Sequence, residues 1–238
     1  MKFTNWRAFT KGTVAALFLL ALTSNDADAQ NKGKWVKLFD GKTLNGWHSW
    51  QSDKVLPQWK IEDGAIVLAE KGGKDLVTDK EYGDFELELE WKIAESGNSG
   101  IIYHVIEEKK YCCPYSTGPE IQILDDEKHP DAKLGRDGNR TLASLYDLMT
   151  AKKLLGSPRS IGTWNRGRVV VYPDNRVEHY LNGVKVLEYT RGSEEFKKLV
   201  AISKYKDWKN FGEASKGHIL LQDHGNKVSF RSIKIKTL

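Results

Sequence analysis

The sequence predicts an all-β fold, an antiparallel two-sheet β-sandwich of jelly-roll type. Three observations carry this. "YGDFELELEWKI" places Phe85, Leu87, Leu89, Trp91 and Ile93 at period two against Glu86, Glu88, Glu90 and Lys92, so one face is buried and one wet. Short strand-like segments separated by polar turns recur from Phe39 to Ile235. Long amphipathic helical patterns are missing, and the spacing predicts only one short helix, over 142–149.

The first 29 residues read as a cleaved signal peptide. Lys2, Arg7 and Lys11 precede the apolar run from Val14 to Leu22, and Ala27 to Ala29 supply a small-x-small cleavage pattern. That run is shorter than the roughly 20 apolar residues a spanning helix needs. The expected product is exported, periplasmic or secreted, with no membrane insertion after cleavage. Residues 30–238 then form a single domain, since no Pro-, Gly- or Ser-rich linker and no internal repeat divides them.

The remaining elements follow in order. After the "ESGNSG" turn, "IIYHVI" reads as the antiparallel partner of the Phe85 strand, and "PEIQIL" as a third strand. Further on, Pro173 to Asn175 make one turn, and Asn182-Gly183 is a strong short hairpin signal. Leu220 to Gln222 end one strand and Val228 to Ile235 form another, joined through Gly225 and Asn226. Val228 and Phe230 share one parity but Ile233 and Ile235 the other, so a bulge lies near Arg231 or both faces are covered.

The net charge of +5 becomes +4 without the signal, which carries three Lys/Arg and two acids. Lys and Arg are scattered among nearly as many acids rather than gathered in a stripe, which excludes a nucleic-acid interface. Cys112 and Cys113 are adjacent, so they cannot join distant segments and do not have zinc-site spacing; a vicinal disulfide and a pair of thiols both remain open. Asp125, Asp126, Asp131 and Asp137 form an acidic loop with oxygen donors for a divalent metal such as calcium, but the spacing matches no calcium-loop motif, which favours solvated loop acids, and the sequence requires no cofactor.

Eight Trp, nine Tyr and eight Phe accompany many carboxylates and amides, a composition that suits carbohydrate, whose C–H faces stack on rings while polar groups grip hydroxyls. Glu120 and Gln122 share one face of their strand while Ile121 and Ile123 take the other, placing the polar pair in a cleft or on an ordinary wet face. Asp223 and His224 sit in the turn before Arg231. His224 titrates near neutrality, and a structural turn carries comparable weight for the pair. No G-x-S-x-G nucleophile elbow is present.

The ordered segments "LFDGKTLNGW", "WKIEDGAI", "YGDFELELEWKI", "GNSGI", "EIQILD", "LNG" and "LQDHGNKVSFRSIKIK" resemble the 3-keto-disaccharide hydrolase family across essentially the whole chain after the signal. The resemblance implies a concanavalin A-like jelly roll whose concave face binds a 3-keto-glycoside or disaccharide. It implies Asn98, Ser99, Glu120, Gln122, Asp125, His224 and Arg231 as candidates for the cleft; with Tyr146 and Asp223 added, the catalytic candidates are Glu120, His224 and Arg231 and the substrate-binding candidates Asn98, Ser99, Gln122, Asp125, Tyr146 and Asp223. "TLASLYDLM" departs from the family's Gly-Ser/Ala-Leu-Tyr pattern around Tyr146, and "EEKKYCCPYSTG" is an individual insertion.

A ketone at carbon 3 acidifies the proton on carbon 2, so a base can remove it and the enolate can expel the anomeric group before water adds back. His224 or Glu120 is the candidate base, Arg231 the candidate for stabilising negative charge, and Asp223 a partner for His224 or a hydroxyl. Two alternatives stand beside this. One is a two-carboxylate glycosidase pairing Glu120 with Asp125 or Glu90; the other is a non-catalytic lectin on the same fold.

Overall fold

Alternation is strictest in β6 (Phe85–Ile93), where every second side chain is buried, and this strand lies in the middle of the larger sheet. The computed structural model describes Met1, residues 32–154 and residues 158–238. Most of the expected signal peptide lies outside the described residues. None of the described helices is long and apolar enough to cross a membrane.

The larger sheet has eight strands. It runs β11 (Val184–Thr190), β10 (Arg176–Leu181), β9 (Asn165–Val171), β6, β13 (Val228–Thr237), β4 (Ala65–Leu68) and β3 (Trp59–Glu62), with β1 (Val36–Lys37) pairing on β13. The smaller sheet runs β2 (Trp47–Ser49), β5 (Leu76–Tyr82), β12 (Gly217–Leu221), β7 (Asn98–Val105) and β8 (Glu120–Leu124). Every pairing is antiparallel. The main core lies between the sheets and contains Phe85, Leu87, Leu89, Trp91, Ile101, Tyr103, Ile121, Ile123, Ile219 and Leu221. This is the two-sheet jelly roll that the sequence predicts.

Three local expectations change. β7 pairs with β12 and β8 in the smaller sheet, not with β6, so residues 94–97 carry the chain from one sheet to the other. Likewise β12 and β13 belong to different sheets, and the Gly225 turn connects them instead of closing a hairpin. Residues 142–149 are not a helix. They lie along edge strand β8, where Gln122 N donates to Ser144 O, Ala143 N to Gln122 O and Tyr146 N to Glu120 O. Backbone groups that an exposed edge would leave open are satisfied this way.

The described α-helix, α1 (Glu194–Ala201), lies elsewhere and follows local capping rules: Ser193 accepts from Phe196 N, and Glu194 and Glu195 occupy the first turn. The parity change in β13 is a bulge. Register shifts between Arg231 and Lys234, and Ser232 adopts φ 54°, which returns Ile233 and Ile235 to the core. Asn182 and Gly183 both take positive φ in the β10–β11 turn, as a two-residue hairpin requires. Cys112 and Cys113 form a disulfide between neighbours.

Candidate active site

The outer face of the smaller sheet changes character along its strands. Register places Val77, Leu220, Ile102 and Glu120 in one row across β5, β12, β7 and β8. The first three join Trp50 and Val105 in a second, smaller apolar cluster. One step along, Gly100 is paired with Gln122, and Gln222 donates its backbone N–H to Gly100 O. A step further is Asn98. Side chains of one strand face recur every second residue, so an apolar half gives way to an amide-rich half, with Glu120 at the boundary.

That boundary is the floor of a cleft of about 360 Å³. Asn98, Gln122 and Gln222 are all buried, and each has a terminal amide atom with no hydrogen-bond partner. Such atoms are costly unless something pairs with them, and sugar hydroxyls can donate to or accept from them. Glu120 is 3% exposed. Burial lifts its pKa to about 8 against the pull of Lys204, with Asp75 and Asp131 adding repulsion. Gly100 makes room for its carboxylate, because a Cβ there would overlap Oε1 and stand 2.9 Å from Cδ.

The walls come from loops. Tyr146 reaches the cleft because residues 142–149 hug β8. Its hydroxyl donates to Asp131 Oδ2 at 2.8 Å, and Asp131 Oδ1 accepts from Arg140 at 3.1 Å. Arg140 Nε also donates to Asp147 at 2.7 Å, and Asp147 Oδ2 accepts the backbone N–H of Lys204 at 2.7 Å. Lys204 is exposed as a residue, yet its ammonium sits 4.2, 5.0 and 5.1 Å from the ring centres of Tyr146, Tyr205 and Tyr115. Desolvation there lowers its pKa, and Glu120 opposes the change.

His224 is also exposed as a residue, but its ring packs edge-on to His129 at 6.0 Å. Burial of the ring, followed by the His129 charge, lowers its pKa, so the imidazole is neutral at pH 7. Its turn is anchored by Asp223, which accepts from Gly72 N at 3.0 Å and Gly225 N at 2.9 Å. Asp75 in turn accepts the Asp223 backbone N–H at 2.7 Å. Although Asp75 is only half-buried as a residue, desolvation of its carboxyl raises its pKa to about 7.

The structure thus gathers Asn98, Glu120, Gln122, Tyr146 and His224 in one cleft. It places the other candidates elsewhere. Ser99 points into the protein and donates to Gln222 O at 2.8 Å. Asp125 caps a turn, accepting from Ser96, Glu127 and Lys128 N–H groups. Asp223 holds its turn without engaging the His224 ring. Arg231 lies on the larger sheet, paired with Glu90 at 2.9 Å and stacked 4.0 Å from the Trp164 ring centre.

The cation facing Glu120 is instead Lys204, which sequence reasoning missed together with Tyr115, Trp208 and Gln222. "KYKDWKN" alternates basic and aromatic residues outside any apolar periodicity, and that was the available signal. Neither Asp125 nor Glu90 shares the cleft with Glu120, so the carboxylate pairs of the alternative two-carboxylate reading are not assembled. In the acidic loop, Asp126 pairs with Lys153 and Asp131 with Arg140. Among the described residues, no group of three His, Cys, Asp or Glu side chains converges as metal ligands.

A jelly roll with an amide floor, aromatic walls and a carboxyl-histidine pair of shifted pKa defines a carbohydrate-active enzyme of the hydrolase or lyase class. The chain belongs to the 3-keto-alpha-glucoside-1,2-lyase-like domain family, whose model matches residues 34–236. It is 39% identical over 230 residues to a "3-keto-disaccharide hydrolase" of Bacteroides thetaiotaomicron, covering 86% of this chain and 78% of that one. A crystal structure from Parabacteroides distasonis, named a "putative glycosyl hydrolase", superposes with TM-score 0.77 at 34% identity, covering 92% of this chain and 98% of the other. A second one from that organism gives TM-score 0.66 at 28% identity, covering 86% and 100%.

Proposed function

We propose that the enzyme cleaves 3-keto-glycosides or 3-keto-disaccharides by removing the proton on carbon 2, eliminating the anomeric substituent and adding water to the product. The observation that carries the reading is the inverted pair: Glu120 has a pKa of about 8 and His224 a lowered one, so at pH 7 the carboxyl holds a proton and the imidazole does not. Oppositely shifted groups in one site mark an acid and a base.

In this reading neutral His224 takes the carbon 2 proton. The C–H electrons form the C2–C3 double bond of an enolate, whose oxygen the Lys204 ammonium stabilises. Return of those electrons breaks the bond from carbon 1 to the leaving oxygen, which receives the Glu120 proton. Water then adds at carbon 1 and carbon 2 is reprotonated, giving a free 3-keto sugar and an alcohol. Asn98, Gln122, Gln222 and Tyr146 hold the oxidised sugar. The expected signal peptide within residues 1–29 supports export to the periplasm or beyond.

The test is incubation of the purified protein with a disaccharide and its 3-keto derivative, with and without chelator, following reducing-sugar release. Turnover of the keto form alone, lost in Glu120→Gln and His224→Ala, is expected. Cleavage of the unoxidised sugar would overturn the mechanism, binding without turnover would make the protein a lectin, and loss on chelation would add a metal. Full activity in both variants would remove Glu120 and His224 from their roles.

A further inference from the structure

Tyr115 and Trp208 line the same cleft as Glu120, but the mechanism uses neither. Their rings lie 5.4 Å apart, tilted by 32°, and both are half-buried. Tyr115 sits in the short 3-10 turn Pro114–Ser116, within the insertion that follows β7, and packs on the apolar cluster of Val77, Ile102 and Leu220. Trp208 is braced by Tyr205, 5.4 Å away. The amides Gln122, Gln222 and Asn98 occupy successive steps on the other side of the Glu120 row. Glu120 therefore stands where a hydrogen-bonding floor meets the row that carries an aromatic wall.

From this division we infer that Tyr115 and Trp208 form the platform for the leaving group, and that the enzyme selects leaving groups presenting a flat, ring-shaped apolar face. The inference rests on the proposed cleavage of 3-keto-glycosides. The oxidised sugar, rich in oxygens, matches the amide side. The leaving group matches the ring side, where stacking supplies contact area without demanding fixed hydroxyl positions. A pyranose and an aromatic aglycone share that chemistry. Chemistry sets this order, while the position of Glu120 at the boundary puts its proton near the bond to be broken.

The experiment compares kcat/KM of the wild-type enzyme, Tyr115→Ala and Trp208→Ala on a 3-keto-disaccharide, phenyl 3-keto-glucoside and methyl 3-keto-glucoside. Ratios of variant to wild type are taken within each substrate, which cancels intrinsic leaving-group reactivity. The expected loss on a ring-bearing substrate exceeds that on the methyl glycoside by about tenfold, the scale of one aromatic contact. Excess loss confined to the disaccharide identifies a sugar platform, and confinement to the phenyl glycoside an aromatic one; either upholds the inference. Equal losses on all three overturn it.

Tyr115→Phe and Trp208→Phe keep the rings and are expected to restore discrimination, which separates the platform from misfolding. If wild-type enzyme cleaves none of the three, the proposed function itself fails. Calorimetry with the unoxidised disaccharide then judges the platform: a Kd raised about tenfold by Trp208→Ala supports it, while an unchanged or unmeasurable affinity overturns it.

Discussion

The carboxyl group of Glu120 lies across the bare Cα of Gly100, two strands meeting where a single methyl group would overlap Oε1. Gly100 is not required by a turn, since it sits inside β7 without positive φ. Its absent side chain is instead the seat of the proposed acid. Gly100→Ala is expected to leave a folded protein and reduce kcat by about a hundredfold, the scale of an ångström-sized misplacement. Near-wild-type kcat with unchanged circular dichroism would show that the Glu120 position is not critical.

Arg231→Ala is expected to keep kcat/KM within about twofold of wild type and to lower stability by no more than about 1 kcal/mol, the usual worth of a partly exposed ion pair. The Arg231 side chain is 38% exposed and lies on the sheet opposite the cleft. A hundredfold loss of activity would restore it as a catalytic candidate.

Lys204→Met removes the positive charge that holds the Glu120 pKa down against burial. Turnover is expected to fall by a factor of about 100 to 1,000, the range for loss of one electrostatic donor. The basic limb of the pH–rate profile, where Glu120 loses its catalytic proton, is expected to move to higher pH. A lower rate with the limb unmoved would separate Lys204 from Glu120.

Stability carries a signature of the same carboxyl. Folded Glu120 keeps its proton up to about pH 8, whereas an unfolded glutamate loses it near 4.5. Between these values the unfolded state binds fewer protons, so the Glu120 contribution to stability is complete below about pH 4.5 and declines as pH rises through 8. Glu120→Gln should match the wild-type Tm at pH 5 and exceed it by about 3 °C or more at pH 9. Parallel thermal curves at the two pH values would contradict the raised pKa.

Much of the fold was legible because local chemistry dictates it: period two in β6, Asn182-Gly183 in its hairpin and the parity break that became the Ser232 bulge. Strand partners were less legible. A short polar connection such as 94–97 looks alike whether it turns back or crosses between sheets. The distinguishing sign was β7 itself, buried at every position while β6 alternates; unbroken burial marks a strand covered on both faces. Glu120 and Gln122 could be paired by strand parity, whereas Asn98 and His224 follow from motifs shared with the family, and Tyr146 from a segment that departs from its pattern. Lys204 and Trp208 come from a loop after α1, brought in by the Asp147 contact to Lys204 N–H, a tertiary event without sequence periodicity. Arg231 misled because closeness to His224 in sequence does not survive a change of sheet.

The hydroxyl of Tyr146 has one proton and gives it to Asp131. Toward the cleft the phenol can therefore only accept, and Arg140, by fixing Asp131, keeps that polarity permanent. In the proposed function this point has a chemical grammar: a sugar hydroxyl able to donate finds an acceptor, whereas its methyl ether or deoxy analogue leaves the phenol oxygen unanswered. If the proposed substrate reaches this wall, discrimination between a glycoside and its O-methylated form rests on the direction of one part-buried hydrogen bond behind the phenol.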